Sequence, residues 1–132
     1  MTKWSRLYPL MRSVDRGGRM TDERKLLGVI GMCRRAGKAV IGVPMICEHL
    51  RKRGIAESGY GEDIIVLEAS DSSDNTHKKL TDKCIYYNVK HVRLSADCVI
   101  LGNALGKSAT AAVAIADKSF CRAVLEKLSK DQ

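Results

Sequence analysis

Apolar positions along the chain follow two spacings in turn. Leu26, Ile30 and Cys33 recur at helical spacing. Thr21 and Asp22 can cap that helix, Glu23 suits its first turn, and Gly37 ends it. Ala39 to Ile41 is short and leans towards strand. Pro44 fits the first turn of a second helix whose buried face is Val43, Ile46, Cys47 and Leu50. Arg51, Lys52 and Arg53 complement its last turn and Gly54 stops it. Residues 55–63, with Gly59 and Gly61, read as a loop. Ile64 to Leu67 is a continuous apolar run and so a buried strand. Asp71 to Asp74 is a turn and cap cluster ahead of a third helix with Leu80, Cys84 and Tyr87. Val92 to Leu94 is a short strand and Asp97 to Leu105 a fourth helix bounded by Gly106. Ala111 to Ala116 is a buried strand. Asp117 or Ser119 caps a last helix carrying Phe120, Val124, Leu125 and Leu128. Such alternation predicts a mainly parallel or mixed sheet covered by helices on both faces, with no internal repeat and no second core.

A chain of 132 residues fits one domain with a short tail, and 45% hydrophobic content is enough for a packed core. No apolar run approaches the roughly 18 residues of a membrane span. Arg6, Pro9 and Arg12 break the apolar stretch at the N-terminus, so it makes a poor signal peptide and the expected location is the cytoplasm. The five cysteines (Cys33, Cys47, Cys84, Cys98 and Cys121) have no close pair, and His49, His77 and His91 are scattered. The cysteines are therefore expected as small buried hydrophobes, the histidines as surface polar groups, with no metal and no cofactor.

Net charge is +8 with a pI near 9.4, which favours a polyanionic partner through counterion release. Half of that excess lies in residues 1–20, where Lys3, Arg6, Arg12, Arg16 and Arg19 face Asp15 alone. The division is a basic tail over residues 1–20, either flexible or a start-site misassignment, and a domain over residues 21–132. Met20-Thr21-Asp22 looks like a protein start, and Arg16-Gly17-Gly18 ahead of it can arise from translating a purine-rich ribosome-binding site. Codons for residues 16–18 that lack such a purine run would remove that hypothesis. As a real arm, Arg6, Arg12, Arg16 and Arg19 with Trp4 and Tyr8 would suit RNA wrapping.

Catalytic motifs do not hold up. Gly102 to Ser108 has three residues between its glycines where a phosphate loop needs four, and it follows a helix instead of a strand. No Gly-x-Ser-x-Gly elbow is present. Glu62 with Asp63, and Asp71 with Asp74, fall in loops and caps.

Several segments resemble a known family. They are Lys25-Leu26-Leu27-Gly28, Arg34-Arg35-Ala36-Gly37-Lys38 with Gly42, the run Ala69 to Tyr87, Leu101 to Lys107, and Ala111 to Phe120. In this order they are similar to the kink-turn-binding ribosomal protein family (L-seven-Ae and L-thirty-e-like), in its bacterial ribosome-associated branch, over roughly residues 22–128. The resemblance implies an α/β fold: a three-layer α/β/α sandwich with a central mixed sheet of about four strands. It also implies a non-enzymatic RNA-binding protein. Carried over by position, Lys38 with Arg34 or Arg35 would reach phosphates, and Gly42 would admit close backbone approach. The helix start after Gly42 would offer amides to phosphate, and Leu94, Ser95 and Ala96 would pack on an extruded base. Lys38 and Gly42 would then share one positively charged rim. Lys78, Lys79 and Lys83 share a helix and make either a second basic face or merely a solvated one.

The chain departs from the family pattern at Val43-Pro44-Met45, where strong kink-turn binders carry a polar residue followed by Asn-Glu. None of the three side chains can hydrogen-bond a base edge, and each lost base contact weakens discrimination by about 1–3 kcal/mol. The expected partner is therefore structured RNA, ribosomal or other, bound by a monomer through phosphate contacts and shape, with weakened or absent kink-turn readout. No membrane or small-molecule substrate is expected. The alternative is a protein-interaction module on the same scaffold that no longer binds RNA. It would show an exposed apolar patch at Val43, Met45 and Leu94 and no basic cleft.

Overall fold

The computed structural model describes residues 20–55 and 63–129. The tail 1–19 and the glycines of the 55–63 loop lie outside the described residues. Helix α1 spans Met20–Arg35, so Thr21 and Asp22 fall within its first turn and not ahead of it. Leu26, Ile30 and Cys33 form its buried stripe, as their spacing predicts. At its end Gly37 takes a φ of 75° and its amide bonds Arg34 O. Strand β1, Ala39–Ile41, leads through Gly42 into α2, Val43–Arg53, which begins with Pro44 and buries Ile46 and Leu50. Strand β2 is Ile65–Glu68. Helix α3, Asp74–Tyr87, is capped by the Ser73 hydroxyl, which accepts from Thr76 N. Strand β3 is Lys90–Arg93, and α4, Cys98–Ala104, is capped by Asp97. Strand β4 is Ala112–Ile115 and α5 is Lys118–Ser129, where the Asp117 carboxylate accepts from Phe120 N.

The four strands form one sheet in the order β1-β4-β2-β3. Only β2 and β3 run parallel; β4 lies antiparallel to both β1 and β2. The sheet is therefore mixed and not mainly parallel. Side chains alternate across it, so Ile65, Leu67, Val113 and Ile115 pack beneath α1, α4 and α5. Ile64, Val66, Ala112 and Ala114 pack against α2 and α3 on the other face. The interior is thus two apolar layers divided by a sheet. Among the described residues no helix is long and apolar enough to cross a membrane.

Ile46 is fully buried in the second layer. Ile46→Val should cost about 0.5–1.5 kcal/mol in urea denaturation. Met45→Ala, one residue away but 60% exposed, should stay within about 0.5 kcal/mol of the parent.

The register sorts loops between two edges of the sheet. Ala39, Ile115, Ile65 and Lys90 form one cross-strand row, so Lys38 and Lys90 belong to a single edge. Glu68 pairs with both Ala112 and Arg93, which places Gly42, Ala69, Leu94 and Ala111 at the opposite edge.

Candidate nucleic-acid interface

The last turn of α1 supplies Arg34 and Arg35, both exposed. The chain then turns so that Lys38 N bonds Cys33 O, while Lys38 O accepts from Ala116 N at 2.8 Å. This second bond brings Lys38 beside the start of α5, where Lys118 and, one turn on, Arg122 are also exposed. Lys90, Lys118, Arg122 and Leu125 line a pocket of about 240 Å³ on this edge. Arg34 leans the other way, over Gly106: a Cβ there would lie 3.3 Å from Arg34 Cζ. Two nearby carboxylates are already engaged. Asp63 receives both Arg53 Nε at 2.8 Å and Arg53 Nη2 at 2.7 Å, and Asp117 caps α5. Asp117 keeps its charge while capping and Glu126 lies one turn beyond Arg122, but Lys38, Lys90, Lys118 and Arg122 outnumber them, so the Lys38 edge carries a surplus of positive charge.

Gly42 does not share that rim. It sits at the far end of β1, roughly 13 Å from Lys38 at strand rise. Its φ of 95° favours glycine, its amide bonds Ala112 O at 3.1 Å, and no side chain caps the helix start that follows. The β3–α4 loop lies on the same edge but does not present the side chains expected of it. Leu94 is 1% exposed and Ala96 equally buried, both in the first apolar layer, so neither can pack on a base. Ser95 donates its hydroxyl to Glu23, which occupies it and sets a negative charge beside it. Asp71 accepts from Cys98 N at 2.9 Å, and the Cys98 thiol together with that amide holds its carboxyl below the usual range. The expected residues thus fall into two groups: Arg34, Arg35 and Lys38 around the end of α1, with the Arg34 side chain turned over Gly106, and Gly42, Leu94 and Ser95 apart from them. An apolar patch at Val43, Met45 and Leu94 does not form either, since Leu94 is buried and Val43 half-buried. The exposed apolar residues of this edge are Met45, Val99 and Ile100.

A third group was not visible in the sequence. Glu68 is fully buried at the end of β2. His77 Nδ1, from α3, lies 2.9 and 3.1 Å from its two oxygens, and His91 Nε2, from β3, lies 2.7 Å from Oε1. Ser72 donates to Oε2 and Arg93 Nε stands 3.9 Å from it. Burial alone would raise the Glu68 carboxyl, but hydrogen bonds from His91, Ser72 and His77 outweigh it and hold it down at about 2. The expectation that the histidines are surface groups fails for His91, whose side chain is 13% exposed. The link joins residues far apart in the chain, so spacing could not show it.

Four of the five thiols are held in the protonated form. Burial raises Cys33, Cys98 and Cys121 to about 11 and Cys84 to about 12, which keeps them protonated at neutral pH.

No protein-family model matches the chain. RNA-binding protein YlxQ of Bacillus subtilis (strain 168) is 33% identical over 100 residues, which cover 76% of this chain and 91% of that protein. RNA-binding protein YlxQ of Enterococcus faecium is 32% identical over 79 residues, covering 60% and 69%. Among solved structures, a protein of unknown function from Bacillus halodurans C has a TM-score of 0.68 at 24% identity, over 80% of this chain and 97% of its own. The Giardia lamblia 15.5kD RNA binding protein has a TM-score of 0.62 at 18% identity, over 83% and 87%. At those identities the structural likenesses speak for the fold alone, and they agree with a three-layer α/β architecture.

Proposed function

Because the chain belongs to the family of RNA-binding protein YlxQ, we propose that it is a non-enzymatic, monomeric, cytoplasmic protein that binds structured RNA, ribosomal or other. The observation that supports this best is the set of exposed cations Arg35, Lys38, Lys118 and Arg122 towards one sheet edge, where Asp63 is paired with Arg53 and Asp117 caps α5. Cations placed this way meet phosphates at many positions without reading bases. The Gly42 edge adds free amides at the start of α2 and the apolar side chains of Met45, Val99 and Ile100, which suit shape recognition. Val43-Pro44-Met45 brings no base-reading group, so discrimination between a kink-turn and a plain duplex is weak on this reading.

The test is binding to rRNA fragments across a salt series. Affinity should fall steeply with salt, and Arg35→Glu with Lys38→Glu should weaken binding about tenfold or more while flattening the salt slope. The control pair Lys78→Glu and Lys79→Glu, on the exposed face of α3, should act less. Equal binding by the parent and the Arg35/Lys38 double variant would defeat the proposal.

A further inference from the structure

Glu68, His77 and His91 are donor groups of three different elements, and one ligand atom of each lies within 4.8 Å of the others. The carboxylate is divided between two tasks. Oε2 is held by the Ser72 hydroxyl, faces Arg93 and is also 3.1 Å from His77 Nδ1, while Oε1 is the oxygen nearest both imidazoles. Such an arrangement orients a ligand oxygen in the way that outer-shell hydrogen bonds orient it in metal sites. The two imidazole nitrogens converge on that same oxygen, so a cation replacing the protons between them would meet two nitrogens and one oxygen. Two nitrogens and one carboxylate are the donor set of a borderline cation such as Zn²⁺, and a poor set for Ca²⁺ or Mg²⁺, which take oxygens. The side chain of His77 is 42% exposed and that of Glu68 0%, so the cluster opens to solvent on the α3 side. We propose that Glu68, His77 and His91 form a binding site for one divalent transition-metal ion of the Zn²⁺ class, which ties α3 to strands β2 and β3. This proposal stands independently of RNA binding.

The experiment titrates ZnCl₂, and in parallel CoCl₂, into chelator-treated, reduced full-length protein. Heat of binding, thermal midpoint and the visible spectrum of Co²⁺ are read together. Expected are one saturable equivalent, a rise in the midpoint, and Co²⁺ absorption without the thiolate charge-transfer band that a cysteine site would give. His77→Ala, at a half-exposed position that should leave the fold intact, should weaken Zn²⁺ binding by more than about tenfold, and His91→Gln should do the same. His49→Ala, outside the cluster, should bind like the parent. Absence of saturable binding, a thiolate band, or undiminished affinity in both His77→Ala and His91→Gln would overturn the site and leave the cluster a hydrogen-bonded network only.

Discussion

Gly102→Ala should lower the unfolding free energy by about 3 kcal/mol, read from urea denaturation as a lower midpoint at unchanged slope. A Cβ at Gly102 would lie 2.5 Å from Ala109 Cα and 2.8 Å from both its N and its carbonyl carbon. These are backbone atoms of the segment that returns from α4 to β4, and no side-chain rotation relieves them. That return is pinned by Lys107 N bonding Gly102 O and Thr110 N bonding Cys98 O. Pushing it away from α4 therefore breaks two backbone bonds and displaces the start of the central strand. The matched control is Gly28→Ala on α1, where an added Cβ meets nothing within 4 Å. There the change should stabilise the protein by about 0.5–1 kcal/mol, since alanine is the better helix former. A Gly102→Ala protein as stable as the parent would mean that the return segment does not lie against α4. The string Gly102 to Ser108, which superficially resembles a nucleotide loop, is on this account a packing device.

Removing the buried carboxylate should cost more. Glu68→Ala is expected to destabilise the metal-free protein by about 3–5 kcal/mol, because His77, His91, Ser72 and Arg93 together lose an acceptor they surround. Glu68→Gln, which keeps the shape and one oxygen, should lose less. The same group gives a signature in acid. Its carboxyl is held at about 2 in the folded protein against an ordinary value of 4.5. Its stabilising contribution, about 3 kcal/mol, is therefore complete above pH 4.5 and is lost as pH falls from there towards 2. Stability measured in chelator from pH 6 down to pH 2 should fall more steeply for the parent than for Glu68→Gln. Parallel curves would show that the carboxylate is not held down by its partners.

Much of the scaffold was legible from spacing alone. The 3.6-residue stripes of α1, α2 and α5 and the apolar runs of β2 and β4 are written in consecutive residues, and the stops at Gly37 and Gly54 follow them, though the start of α1 lies ahead of Thr21 and Asp22. What was illegible depends on contacts between residues far apart in sequence. The apolar run of β2 stops at Leu67, and Glu68 after it is charged, yet its histidine partners lie on α3 and β3 and draw it inside. Lys38 and Gly42 are four residues apart and look like neighbours, but an extended strand between them carries them to opposite edges. Leu94 looked like a loop residue offered to RNA, and the turn into α4 folds it into the core. The cations at Lys38, Lys118 and Arg122 came together only because Ala116 hydrogen-bonds across to Lys38.

The strand order has a bearing on how the chain is made. The interior strand β4 comes late in the chain, and both β1 and β2 need it as a partner: Ala39 waits for Ile115, and Glu68 for Ala112. As the polypeptide emerges during synthesis, β2 and β3 can zip together early, but β1 has no partner in the sheet until β4 has been made. Nascent chains stalled before residue 112 would keep β1 and its side of the sheet open to proteases, and emergence of β4 would close the sheet in one late step.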